Sequence, residues 1–137
     1  MMRKTMKKES ILLVILLYCT QSEANPLIGT WQFVEGKYAT QSGYVSAKAP
    51  SLSSVKVISP THFSYITQKD GAFLYAGGGP YKLDDKYFYE TFAYGNVPSL
   101  QGKTMAFNYK IEGQLWHHTL HENGKLVEAE IWERVSN

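Results

Sequence analysis

From residue 25 onward, apolar and β-branched residues fall in short runs rich in Val, Ile, Thr, Tyr and Phe, broken by Gly, Pro, Asn and Asp. No useful length repeats at helical spacing, so the pattern predicts an all-β domain. Candidate strands are Thr30–Lys37, Ser54–Ile58, His62–Gln68, Ala72–Ala76, Pro80–Leu83, Lys86–Tyr94, Lys103–Ile111, Gln114–Glu122 and Lys125–Val135. The Ser- and Ala-rich stretch Ala39–Ser53, with Pro50, reads as a loop or lid carrying a short strand near Tyr44, and a second loop runs from Gly95 to Gly102.

Asn123-Gly124 between two strand-like runs is the sequence a type I′ hairpin favours, because both turn residues need positive φ. Pairing Glu122 with Lys125 then sets Trp116 opposite Ile131 and His117 opposite Glu130. A turn at Glu112-Gly113 pairs Ile111 with Gln114, Tyr109 with Trp116 and Phe107 with His118. Together these registers predict a core face of Met105, Phe107, Tyr109, Ile111, Trp116, Leu120, Val127, Ala129, Ile131 and Val135. Gln114 and Glu133 fall on that face near strand ends. The outer face is mostly polar, Glu128 and Glu130 included, with Leu115 and Trp132 as apolar exceptions. Eight or nine strands with tight turns and a one-sided apolar face predict a closed antiparallel up-and-down barrel, with a β-sandwich as the alternative.

Charge changes the picture at the N-terminus. Arg3, Lys4, Lys7 and Lys8 precede an apolar run from Ile11 to Cys19, and Ser22-Glu23-Ala24 has small residues where a signal peptidase needs them. Residues 1–24 are therefore expected to be a signal peptide, with residues 25–137 the domain and a periplasmic or secreted location. Nine apolar residues are too few for a transmembrane anchor, given the ~20 that a span needs. A lipoprotein acylated at Cys19 is less favoured, because Tyr18 stands where a small residue is expected. The 137-residue chain carries a formal net charge of +2, but the signal removes four basic and two acidic residues and leaves ten of each. A neutral domain gives no ground for a nucleic-acid partner. It also has no cysteine, so its stability rests on its core.

Gly29-Thr30-Trp31 and Trp132-Glu133-Arg134 resemble the two ends of a lipocalin-like barrel of the calycin group. His62-Phe63, Gly77-Gly78-Gly79-Pro80-Tyr81 and Phe88-Tyr89-Glu90-Thr91 are similar in order and spacing to small secreted bacterial lipocalin-like domains of uncharacterised function. The resemblance spans roughly residues 27–135. It implies that Trp31 closes one end of the barrel while Arg134 packs over it. Physical reasoning reaches the same pair, since a guanidinium stacked on an indole contributes about 0.5–2 kcal/mol.

Candidate chemistry is sparse. His117 and His118 point to opposite faces, and His117 to His121 spans about 13 Å along a strand, which argues against a metal site. No Gly-x-Ser-x-Gly, nucleophilic Cys or spaced carboxylate pair supports catalysis, and no cofactor motif is present. Gly77-Gly78-Gly79 lacks the context of a phosphate loop and reads as a bulge or a close backbone approach. His118 on the apolar face and Glu90 among Phe88, Phe92 and Tyr94 each need a buried partner, with Tyr109 or His118 available to Glu90.

Nine Tyr, six Phe and three Trp remain after residue 24, a supply suited to an amphipathic pocket. The expectation is a non-enzymatic binding protein holding a small hydrophobic or amphipathic molecule. Its candidate lining is Phe63, Tyr65, Phe88, Glu90, Phe92, Phe107, Tyr109, Trp116 and His118, with Phe33 deeper and Ala39–Ser53 as a lid. A ligand-free structural or interaction module of the cell envelope is the alternative, distinguished by a filled interior. An enzyme using Glu90 and His118 ranks third and requires both in one pocket.

Overall fold

The computed structural model describes residues 24–136, so the expected signal peptide up to residue 23, with its basic segment, the apolar run from Ile11 to Cys19 and the candidate acylation site Cys19, lies outside the described residues. The chain forms ten antiparallel strands: β1 Gly29–Thr40, β2 Gly43–Lys48, β3 Leu52–Ile58, β4 His62–Lys69, β5 Ala72–Leu83, β6 Tyr87–Thr91, β7 Tyr94–Gly95, β8 Thr104–Glu112, β9 Leu115–Glu122 and β10 Lys125–Arg134. A short 3-10 turn, Pro98–Leu100, lies between β7 and β8. Eight strands form a closed barrel in the order β1-β3-β4-β5-β6-β8-β9-β10, sealed by pairing of β10 with β1, while β2 and β7 are additions. Closure removes the free edges of the barrel itself.

Several boundaries differ from expectation. The stretch Ala39–Ser53 is chiefly a hairpin, because β1 runs on to Thr40 and pairs with β2 from Glu35↔Lys48 to Thr40↔Gly43. The two runs flanking Gly77-Gly78-Gly79 are one strand, β5, and Lys86–Tyr94 divides into β6 and β7. The glycines are explained by close approach: a Cβ on Gly78 would lie 2.6 Å from the Phe63 carbonyl oxygen, and one on Gly79 would collide with the Thr91 carbonyl.

The Asn123-Gly124 hairpin forms as predicted, with φ of 50° and 77° and Lys125 opposite Glu122. Two residues later the register changes. A bulge between Leu126 and Glu128 sets Leu120 opposite Glu128, His118 opposite Glu130 and Trp116 opposite Trp132. One extra residue turns every subsequent side chain to the other face. Glu128, Glu130 and Trp132 therefore face inward, which overturns the predicted β10 face of Val127, Ala129, Ile131 and Val135; Glu133 and Gln114 are exposed. His117 lies opposite Ile131 and meets Glu112 at 3.3 Å rather than Glu130. Between β8 and β9 the register also differs, with Ile111 opposite Trp116 and Tyr109 opposite His118. That shift is by two positions, so the faces stay as predicted.

One half of the barrel is filled. Trp31 meets Trp116 edge-on at 5.3 Å between centroids, Trp116 meets Phe88 at 5.5 Å, and Leu27, Ile58 and Phe63 complete a layer of fully buried side chains. Each contributes about 1.5–3 kcal/mol through burial. Trp31 Nε1 donates to the Leu27 carbonyl at 2.8 Å. Arg134 lies 4.2 Å from the Trp31 ring and donates to the carbonyls of Ile28 and Pro26 at 2.9 and 2.6 Å, tying the incoming chain across this end.

Candidate ligand-binding cavity

The other half of the barrel is hollow. A cavity of about 360 Å³ is enclosed by β1, β3, β4, β5, β6, β8, β9 and β10, with Val97, Ser99 and Leu100 around the 3-10 turn. Of the nine predicted lining residues, Tyr65, Glu90, Phe92, Phe107 and His118 face this cavity. Phe63, Phe88 and Trp116 instead belong to the filled layer, while Tyr109 packs against the core and donates to the Asp84 carbonyl at 2.7 Å. Phe33 lines the cavity, as does Leu52 from the predicted lid. The remaining cover comes from the loop between β7 and β8.

At mid-barrel a polar network crosses the interior. The Lys56 ammonium donates to Glu90 Oε1 at 2.7 Å, and the two side chains are 5% and 2% exposed, so this ion pair is almost free of water. Rings of Trp132, Trp116 and Tyr65 stand 5.1, 5.3 and 5.9 Å from the ammonium and add cation–π attraction. His118 Nε2 lies 4.0 Å from Glu90, its Nδ1 is 3.3 Å from Glu130 Oε1, and its ring stacks on Phe107 at 3.9 Å. The predicted convergence of Glu90 and His118 is thus present, but the direct partner of Glu90 is Lys56.

Tyr38 completes the network by donating to Glu130 Oε2 at 2.9 Å. Its ring lies over Gly36, where a Cβ would sit 2.7 Å from Tyr38 Cζ; the missing side chain makes room for the tyrosine. Gly77 does the same for Tyr65, whose hydroxyl would be 2.6 Å from an added Cβ. Two glycines, Gly36 and Gly77, thus make room for tyrosines of the cavity wall.

Burial opposes ionisation of Glu130, yet hydrogen bonds from His118 and Tyr38 and the nearby Lys56 charge outweigh it and hold the carboxyl at about 2. Glu128 receives no hydrogen bond from His118 or Tyr38 and instead shares one with the Glu130 carboxylate. Burial, reinforced by the adjacent Glu130 charge, pushes its carboxyl well above the usual range despite Lys56. Burial and Lys56 push His118 down, against the pull of Glu130 and Glu90, so its imidazole is neutral with Nδ1–H directed at Glu130. Tyr65 is raised to about 12 by burial and by Glu90.

Among the described residues, no group of three His, Cys, Asp or Glu side chains could hold a metal ion. No helix among them is long and apolar enough to cross a membrane. A family model described as a domain of unknown function, DUF4488, matches residues 26–137. The chain belongs to the DUF4488 family. Comparison with curated proteins gives no match. In this DUF4488 domain, the cavity-lining residues missed by sequence reasoning include Lys56, Glu128, Glu130, Tyr38, Tyr75 and Trp132. Lys56 carries no outward sign, since it is flanked by the apolar Val55 and Val57, which are each 44% exposed.

Proposed function

We propose that this DUF4488 protein is an exported, lipocalin-like binding protein that holds a small amphipathic molecule non-covalently in the open half of its barrel. The carrying observation is the cavity: about 360 Å³, walled by aromatic and aliphatic side chains with a few buried polar groups, while the opposite half is packed solid. That volume and mixed lining suit a small-molecule site, whereas an interaction module needs no internal space. Export is supported by the basic segment and apolar run before residue 25.

Convergence of Glu90 and His118 favours a catalytic reading. Each is already engaged by another protein group, Glu90 by Lys56 and His118 by Glu130, so binding is the function we adopt. Titration with an environment-sensitive apolar fluorophore tests it. One probe per chain should bind with enhanced emission, and Leu100→Trp, which fills the cavity at the 3-10 turn, should abolish binding while the protein still melts cooperatively. Absence of binding by the unaltered protein, or unchanged binding in Leu100→Trp, overturns the proposal.

A further inference from the structure

Resting on the binding function proposed above, we infer that the cavity selects an amphipathic organic cation, with the ligand's ammonium received by Glu128 and its apolar body lying against the aromatic wall. Three carboxylic side chains, Glu90, Glu128 and Glu130, line the cavity against one lysine and one histidine among the described residues. Lys56 is engaged by Glu90 at 2.7 Å, and Glu130 is held by Tyr38 at 2.9 Å and His118 at 3.3 Å. Among the described residues, no cationic group lies within 4.0 Å of Glu128. His118, 1% exposed and part of the same lining, has an Nε2 with no hydrogen-bond partner. A carboxyl without a counter-charge and an acceptor nitrogen without a donor both lack what an ammonium supplies.

The barrel already holds one ammonium in this manner. Lys56 Nζ sits against a carboxylate and among three aromatic rings at 5.1–5.9 Å. The rings of Tyr38, Tyr65 and Tyr75 line the same cavity as Glu128. A ligand ammonium there would repeat the arrangement, with cation–π attraction added to the ion pair. The arriving ammonium would favour the ionised form of Glu128, which burial otherwise opposes; a ligand carboxylate would instead be repelled by Glu90 and Glu130 in the same lining, and a neutral hydroxyl would gain neither contribution.

Calorimetric titration of the full-length protein at pH 7.5 with 2-phenylethylamine, 2-phenylethanol and 3-phenylpropanoate tests the inference. The three share an aromatic body and differ in head group. The amine should bind at least about tenfold more tightly than the alcohol or the carboxylate, a preference within the reach of one charge-assisted hydrogen bond. Glu128→Gln should cost the amine at least about tenfold in affinity and leave the alcohol unchanged. Glu128→Ala, which leaves no amide in place of the carboxyl, should show the same loss. Equal binding of amine and alcohol, tighter binding of the carboxylate, or full amine affinity in both variants would overturn the cation preference while leaving the binding function intact. Failure of all three compounds and of the apolar fluorophore would overturn both.

Discussion

Lys56 and Glu90 form an ion pair that should be strongly coupled, and double-mutant analysis can measure the coupling. With the charged atoms 2.7 Å apart and both side chains at most 5% exposed, Coulomb attraction at an effective dielectric of 20 amounts to about 6 kcal/mol before desolvation is subtracted. Replacing Lys56 by Met keeps the chain's bulk among Tyr65, Trp116 and Trp132 but strands the Glu90 carboxylate. The expected cost is about 3–5 kcal/mol, the range for breaking a buried pair by removing one partner. For a domain of about 110 residues, that lowers the melting temperature by roughly 12–20 °C. Glu90→Leu strands Lys56 and should cost a similar amount. The double variant removes both charges and should recover most of the loss, since an apolar replacement of both partners is often neutral. Urea unfolding followed by tryptophan fluorescence supplies the four free energies. Costs that add to within about 0.5 kcal/mol would refute the coupling, because independent sites behave in that way.

Three further outcomes follow from named contacts. Burial raises Glu128 above its ordinary 4.5, so its contribution to stability is fully present below that pH and is lost as pH rises through the folded value; Glu128→Gln should therefore gain on the unaltered protein between pH 5 and 8, by about 1.4 kcal/mol per pH unit until that value is reached. Glu130 has the opposite sign: held at about 2, it stabilises above pH 4.5 and loses that contribution as pH falls, so Glu130→Gln should flatten acid unfolding measured by circular dichroism. Gly79→Ala drives a methyl into the Thr91 carbonyl and should destabilise by more than the about 1–2 kcal/mol of backbone strain expected for Gly113→Ala, whose Cβ meets nothing within 4 Å at a φ of 61°; thermal melts of the two variants provide the comparison.

Much of the barrel was legible in the residues. Alternation and turn chemistry predicted most strands, Asn123-Gly124 announced its hairpin, and Trp31 with Arg134 marked one end. Glu90 and His118 stood out because a carboxylate and an imidazole on aromatic faces need partners. The identity of those partners was hidden. Lys56 lies between Val55 and Val57, and local hydropathy alone would turn the valines inward; the opposite happens because Ile58 and Ser54 share the inner face with Lys56, and Glu90 compensates its charge from across the barrel.

The sequence by itself determined an all-β chain, its principal turns, and a domain with balanced charge after residue 24. Tertiary structure alone decided which face of β10 is inside. The β10 bulge between Leu126 and Glu128 lies in its pairing with β9, and the other side of β10 pairs with β1 in a seam that is itself irregular between Phe33 and Glu35. A bulge reflects how a twisted sheet meets its other edge, a geometry set by strands far apart in the chain. That single extra residue exchanges Ala129 and Ile131 for Glu128, Glu130 and Trp132, and makes a polar cavity wall from a strand whose hairpin register promised an apolar one.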